Sequence, residues 1–461
     1  MIELSLAEFA DAVSGKLVVG DPNLRVSGTV DTDSRKLTAG GIFFAKLGAH
    51  ENGHRYLPDL DRRGISLAIV SEPNLELSIA QILVPDTVSA LAKLAEFVLN
   101  RVRERGALKV IGITGSNGKT STRAMLQAAL ERQGKTIAPV DSYNNEVGLP
   151  LTVLKLQLDS EFLILEYGAA GVGSIERLAR WSRPDIGVQL KVGMAHAGEF
   201  GGIEVTAQIK AELMEFIGSA AVLNYDDPRV RDFAYFGKRL GFGFADDAHV
   251  RLISSQISLT GTEVELAVAG ARYSTQLKIL GEHQAMNVAA TIAVIDELGL
   301  DVSDALAAVS GLERAERWRM QLLEAPEGYA VINDAYNASP DSMRAALQTL
   351  ATLGRQGHRT VAILGEMAEL GEYSSQEHDA IGRLVVRLNI DQLFVVGANA
   401  KLIHMGATQE GSWDGESQFI DSINGAFETI RAKLRPGDVV LVKASNIAGL
   451  RFLGDELAGV A

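Results

Sequence analysis

The chain contains no cysteine. Disulfides, thiolate zinc sites and a cysteine nucleophile are therefore excluded. No apolar run approaches the roughly 18 residues that a membrane-spanning helix needs. The opening stretch, MIELSLAEFADAVSG, has the spacing of an amphipathic helix with acidic residues. It lacks the basic segment and apolar run of a secretory signal. An excess of positive charge is missing too: 44 Lys and Arg against 58 Asp and Glu give a net charge of −14. Non-specific nucleic-acid binding needs clustered cations, so no nucleic-acid partner is expected. There is no internal repeat and no low-complexity segment. A monomeric cytoplasmic protein with no membrane partner is expected, acting on small molecules.

What is present is ordinary globular material: 461 residues, 47% hydrophobic and 22% charged. That length suggests about three domains and ample apolar surface for cores. Residues 1–83 contain short strands with glycine turns, GTVDTDSRKL, GGIFFAKLG, ISLAIV and AQILV, the pattern of a small α/β unit. TVSALAKLAEFVLNRVRERG follows as a connecting helix, with Gly106 after its end. From residue 108 the pattern becomes strand, glycine turn and helix, repeated. LKVIGIT, TIAPV, FLILEYG, DIGVQLKVG and AAVLNY are apolar runs of the buried parallel type. Residues 248–280 alternate with period two, which predicts antiparallel hairpins beside the main sheet, with a helix over about 284–297. A third α/β region begins after about 313, with strands YAVIND, RTVAILG, QLFVVG and DVVLVKAS. The expected fold is α/β in three domains: a small N-terminal domain (1–83), a central parallel-sheet P-loop ATPase domain (84–313) and a Rossmann-like C-terminal domain (314–461).

The stretch VIGITGSNGKTSTRAML, residues 110–126, carries the chemistry. An apolar strand enters a turn of small residues, and Gly118-Lys119-Thr120 opens a helix. Backbone N–H groups and the helix dipole favour an anion there. Lys119 would reach the β- and γ-phosphates and the Thr120 hydroxyl would face Mg²⁺. The first glycine of G-x-x-x-x-G-K-[ST] is replaced by Ile113, with Gly112 and Gly115 on either side. The same pattern also fits an ordinary tight strand-to-helix turn. A phosphate loop does not by itself choose between kinase, GTPase and ligase. A GTPase needs an Asn-Lys-x-Asp guanine reader, and LNYDDP at 223–228 lacks the lysine.

Other residues carry two readings each. Glu166 ends the apolar strand FLIL. There it is a solvated loop acid or, beside a phosphate loop, a hard oxygen ligand for Mg²⁺. His196 follows the strand VQLKVGMA, as a packed histidine or a ligand. Lys210 lies in GIEVTAQIKAELMEF, where a lysine stem commonly runs along apolar surface. His283 and Asn287 are four apart and share a helix face. Arg319 and Asp334 stand at the start of the third region, as a surface pair or as groups facing phosphate, which an always-charged guanidinium suits.

GITGSNGKTS resembles the nucleotide loop of the Mur ligase family, as do GEHQAMNVAATIAV at 281–294 and RMQ at 319–321. YNNEVGLPLTVL (143–154), NDAYNASPDSMRAAL (333–347) and ILGEMAELGEYSSQEHDAIG (363–382) resemble the branch of that family that adds a dipeptide. The resemblance runs from DSRKL at 33 to VLVKAS at 440. It implies ATP cleavage coupled to amide-bond formation between UDP-MurNAc-tripeptide and D-Ala-D-Ala, in peptidoglycan precursor synthesis. It implies ATP at Thr114, Gly115, Ser116, Asn117, Gly118, Lys119, Thr120 and Ser121, with His283 and Asn287 at the adenine, Arg319 on phosphate and Asp334 near the ribose. It implies Mg²⁺ on Thr120, Glu166, His196 and Lys210, the lysine as a carbamate. Lys119, Glu166, His196 and Lys210 form the implied catalytic set. Ser34, Arg35 and the FFAKLG turn resemble a uridine-nucleotide site, Asn144 and Asn145 would line the sugar-nucleotide path, and Asn337 falls to the substrate side. Asn337-Ala-Ser-Pro stands where the sister enzyme that adds diaminopimelate has Asp-Asn-Pro-Arg. Another Mur-type amino-acid ligase and a catalytically silent ATP-binding module are the alternatives.

The chain departs from the family pattern at several places. HAGEFG at 196–201 has its glutamate one place later than usual. Trp318 stands where glycine is usual, Gln284 where asparagine is usual and Asn52 where aspartate is common. Ala444 and Asn446 replace a glycine and an arginine.

Overall fold

The computed structural model describes residues 1–461 except 49–50, 141–142, 196, 314–316, 412–415 and 461. His196 and the expected start of the third region at 314 therefore lie outside the described residues.

Three large sheets follow one another along the chain. The first, in the order Lys16–Val19, Ala80–Leu83, Leu67–Val70, Ile42–Phe44, Val30–Asp31, has five strands. The opening amphipathic stretch becomes a short strand, Leu4–Ser5, and a helix, Leu6–Ala12. Ser5 and Glu8 cap that helix reciprocally. The connecting helix is Thr87–Arg103, started by Asp86, whose side chain accepts the Ser89 N–H at 2.7 Å. It buries Leu91, Leu94, Val98, Leu99 and Val102, each worth about 1.5–3 kcal/mol against exposure. Its apolar face joins residues of the first sheet, such as Phe44 and Ile69, to Leu151 and Leu163 of the middle region in one continuous core.

The middle sheet has nine strands. Seven run parallel, in the order Thr136–Ile137, Phe162–Glu166, Lys109–Thr114, Ile186–Gln189, Ala220–Asn224, Lys238–Gly243, Val250–Ser258. Lys109–Thr114 lies between Phe162–Glu166 and Ile186–Gln189, so the direction of winding reverses around it. The crevice at the carboxyl ends there is where ligands bind in such sheets.

The hairpin strands Val250–Ser258, Gly261–Val268 and Ala271–Leu277 are antiparallel, as their alternation predicts. They do not stand beside the main sheet. Phe242 pairs with Val250 and makes them its continuation. The next helix is Glu282–Glu297, and a second, Val302–Ser310, capped by Asp301, follows it.

The third sheet has six strands in the order Gln321–Glu324, Ala330–Asn333, Val439–Lys443, Thr360–Leu364, Gln392–Val396, Ser417–Ile420. The first is antiparallel to its neighbour and the rest are parallel. No helix among the described residues is long and apolar enough to cross a membrane.

Candidate active site

The phosphate loop forms as its sequence predicts. Strand Lys109–Thr114 ends at Gly115, and helix Lys119–Glu131 begins after Gly118, whose φ is +89°. That left-handed backbone favours glycine. A Cβ on Gly118 would also lie 2.6 Å from Asn287 Oδ1. Thr114 is tied down by its hydroxyl, which donates to the Tyr167 carbonyl at 3.0 Å. Ser116 Oγ accepts the Gly193 N–H at 2.9 Å, and the Ser116 N–H donates to the Lys191 carbonyl at 2.7 Å. Lys119 Nζ folds back onto the Gly115 carbonyl at 2.7 Å.

Glu166, at the end of the neighbouring strand, is fully buried under this loop. Its Oε1 accepts Arg123 Nε at 3.0 Å, and its Oε2 lies 3.5 Å from Thr120 Oγ1. Burial raises the carboxyl pKa, against the opposing pull of Arg123, Lys119 and Arg319. Burial lowers the Lys119 pKa, with Glu166 opposing and Arg319 adding to the fall. Lys210 is buried on helix Ile203–Ala211. Burial takes its pKa well below the usual lysine value, helped by Lys119 and opposed by Glu212. Among the described residues there is no cluster of three His, Cys, Asp or Glu poised for a metal ion.

Asn287 is buried, and its side chain is engaged by protein. Its Oδ1 accepts the Thr122 hydroxyl at 3.3 Å, and its Nδ2 donates to Gln284 Oε1 at 3.0 Å. Gln284, one of the departures, thus holds Asn287 against the phosphate-loop helix. His283 lies near the Asp334–Lys443 pair. Burial takes its pKa to about 4, with Asp334 opposing and Lys443 adding to the fall.

The third region closes over this surface. Lys443 Nζ donates to Asp334 Oδ2 at 2.6 Å and to the Asn337 carbonyl at 3.0 Å. Arg319 stacks over the Tyr336 ring at 4.5 Å, and its Nε is buried without a hydrogen-bond partner. Ser339 caps helix Pro340–Gly354, and its hydroxyl donates to Asn117 Oδ1 of the phosphate loop at 3.3 Å. Asp341 Oδ2 accepts the Met194 N–H at 2.8 Å, and Lys191 stands 3.8 Å from its other oxygen.

A cavity of about 1120 Å³ lies between the two regions. It is lined by Ser116, Asn117, Gly118, Lys119, Thr120 and Ser121 on one side and by Arg319, Asp334, Asn337 and Lys443 on the other, with His283, Asn287 and Asn144 between. The structure thus brings together most of the residues expected at the nucleotide. Ser34 and Arg35 do not line this cavity. The Ser34 carbonyl accepts Arg63, and Arg35 is an exposed partner of Asp33 at 2.8 Å. Asn145 Oδ1 accepts the Val147 and Gly148 N–H groups at the entry to the next helix.

Sequence reading missed Arg123, Lys443 and Asp341. Arg123 lies one helical turn beyond Lys119, so it faces the same neighbouring strand. Lys443 is a lone cation ending the apolar run VVLV, a costly place for a charge without a partner. Asp341 sits in the first turn after the Ser339-Pro340 helix start.

Trp318 has φ +60° and Met320 has φ +47°, on either side of Arg319. A left-handed backbone costs a non-glycine residue roughly 1–2 kcal/mol. That accounts for glycine being usual at 318.

Comparison with known proteins gives a family. Residues 113–295 match the model described as "Mur ligase middle domain", and residues 318–446 match "Mur ligase, glutamate ligase domain". The UDP-N-acetylmuramoyl-tripeptide–D-alanyl-D-alanine ligase of Mycobacterium tuberculosis is 39% identical, covering 99% of this chain and 98% of its own. A crystal structure of MurF from Acinetobacter baumannii superposes with a TM-score of 0.89 at 26% identity, covering 99% of both chains. MurF ligase from Thermotoga maritima in complex with ADP gives a TM-score of 0.83 at 26% identity, covering 94% of this chain and 98% of that one.

Proposed function

The chain belongs to the Mur ligase family, and on that premise we propose that it joins UDP-MurNAc-tripeptide to D-Ala-D-Ala, cleaving ATP to ADP and phosphate. The observation that supports this most is the single cavity into which the phosphate loop, Arg319 and the Asp334–Lys443 pair all open. A relative matched over 99% of this chain and 98% of its own carries that activity in its name. The reading includes three domains divided at 83/84 and 313/314, and a cytoplasmic monomer.

A carboxylate is a poor electrophile, and phosphorylation is what activates it. In the first step a carboxylate oxygen of the tripeptide attacks the γ-phosphorus, and the bond to the ADP oxygen breaks. In the second the D-Ala-D-Ala amine attacks the acyl carbonyl, inorganic phosphate departs with the bonding pair, and the amine loses its proton. Three anionic groups meet in the first step, so positioning and charge neutralisation dominate the barrier.

Lys119 supplies one neutralising charge. Without ligand it lies on the Gly115 carbonyl. Burial disfavours its charge, and an anionic phosphate beside it restores the ammonium. Arg319 meets phosphate from the opposite wall, its buried Nε still lacking an acceptor. Asp334, fixed by Lys443 and by the Met320 N–H, faces the ribose. Closure of the third region through Ser339–Asn117 and Asp341–Met194 excludes water, which would hydrolyse the acyl phosphate.

Thr120 Oγ1 and Glu166 Oε2 fit a Mg²⁺ site, since that ion takes one or two protein oxygens and fills its shell with water and phosphate. When bound, Mg²⁺ neutralises phosphate charge. His196 and Lys210 would hold a second Mg²⁺. As an ammonium Lys210 is no ligand. Its lowered pKa supports an unprotonated amine, the form that adds to CO₂ to give a carbamate oxygen donor.

Hydroxylamine trapping tests the intermediate. Enzyme, ATP and UDP-MurNAc-tripeptide with hydroxylamine should yield the tripeptide hydroxamate and ADP. ADP without hydroxamate would contradict the acyl phosphate.

A further inference from the structure

The turn that carries Arg319 is strained on both sides. Trp318 and Met320 both have left-handed backbones. Such strain persists only where the surroundings over-determine it. The hold on Met320 is local: its N–H donates to Asp334 Oδ1 at 3.0 Å, and its side chain is buried.

Trp318 is held locally at its backbone, where its N–H donates to Gln321 Oε1 at 3.1 Å and its carbonyl accepts the Tyr336 N–H at 3.3 Å, and at its side chain by the last helix. Its indole Nε1 donates to Asp455 Oδ2 at 2.8 Å. Its ring meets Phe452 edge-on, centroids 5.9 Å apart, and the Arg317 and Arg451 guanidiniums lie 4.5 and 5.3 Å from it. Asp455 is buried on helix Leu450–Leu457 and also accepts Arg317 Nη2 at 2.9 Å and Asn333 Nδ2 at 3.0 Å. Asn333 ends the strand that leads into Asp334. One buried carboxylate therefore ties together the last helix, the strand before Asp334 and the turn that carries Arg319.

We propose that the Trp318–Asp455 hydrogen bond is a strut that sets the aim of Arg319 into the cavity, which makes Asp455 a positioning residue for the nucleotide phosphate. The proposal rests on the phosphate role given to Arg319 above. Charge-assisted hydrogen bonds are the stronger kind, and the carboxylate of this one is buried. Without it the strained backbone rests on Gln321 and Tyr336 alone, and relaxation of Trp318 turns the Arg319 backbone with it. A misplacement of about 1 Å can cost a catalytic group about 100-fold.

The test turns on glycine. Gly at 318 adopts a left-handed backbone without steric cost, so it needs no strut. Asp455→Ala should raise KM for ATP about tenfold with Trp318 present and less than about twofold in the Trp318→Gly background. KM for UDP-MurNAc-tripeptide should stay unchanged. Trp318→Phe keeps an aromatic ring and leaves Asp455 its bonds to Arg317 and Asn333. It removes the indole N–H together with the smaller ring of the indole and should itself raise KM for ATP several-fold, so it carries the test if Asp455→Ala does not fold.

Equal losses from Asp455→Ala in both backgrounds would overturn the strut. So would a wild-type KM in Trp318→Phe beside an impaired Arg319→Ala. A wild-type KM for ATP in Arg319→Ala would overturn the phosphate role of Arg319 and the proposal with it.

Discussion

Lys443 and Asp334 form a buried ion pair at the centre of the cleft, with Nζ 2.6 Å from Oδ2. The lysine ends one strand of the third sheet, and the aspartate follows the strand beside it. Lys443 also donates to the Asn337 carbonyl, so the pair fixes the turn that lines the cavity.

Breaking a buried pair leaves an uncompensated charge. Lys443→Met should therefore destabilise the protein by about 3–5 kcal/mol, and Asp334→Asn added to it should recover part of that loss. Urea unfolding of the two variants checks this. A double variant no more stable than the single one would contradict the pairing.

Lys119→Ala should abolish phosphate release while the protein keeps its thermal transition and its circular dichroism. Among the described residues the Lys119 ammonium donates to the Gly115 carbonyl of its own loop, so its removal breaks no hydrogen bond between separate elements. Near wild-type turnover would refute the phosphate-loop role.

Lys210→Ala should be inactive and partly restored by a short carboxylic acid, which supplies the oxygen donor a carbamate would. Activity without any added acid would refute the carbamate. No restoration at any concentration would leave a structural role for this buried lysine as the better account.

The pH dependence has a definite sign. His283 is held near 4 in the fold, against 6.5 when unfolded. Between those values the unfolded chain binds the extra proton, so stability rises with pH through that window. The contribution is complete above 6.5, is lost as pH falls towards 4, and amounts to at most about 3 kcal/mol. His283→Asn should flatten this part of the stability profile, measured by urea unfolding from pH 4 to 7. An unchanged slope would show that other groups carry it.

Much of this was legible in the sequence because it is local. The phosphate loop is strand, glycine turn and helix in one stretch, and Gly118 adopts the left-handed backbone such a turn needs. Glu166 was legible as a carboxylate at the end of an apolar strand. The α/β architecture followed from the repeated strand, glycine turn and helix that begins at 108 and from the third α/β region after 313.

What was not legible depends on distant partners. Nothing near Lys443 in the sequence announces Asp334, and nothing near Trp318 announces Asp455. The alternation over 248–280 predicted hairpins correctly, but their junction with the main sheet is a single short register at Phe242 and Val250. Asn287 lines the cavity, and its hydrogen bonds to Thr122 and Gln284 are contacts that only the folded helix pair creates. Helix Val302–Ser310 had a readable start in Asp301, whose side chain accepts the Asp304 N–H at 2.7 Å.

Phosphate release from ATP, with UDP-MurNAc-tripeptide fixed and amines added one at a time, tests the central claim most directly. Release should require both the nucleotide peptide and D-Ala-D-Ala, and free amino acids should not replace the dipeptide. Release driven by a single amino acid, or none with the full substrate set, would contradict it.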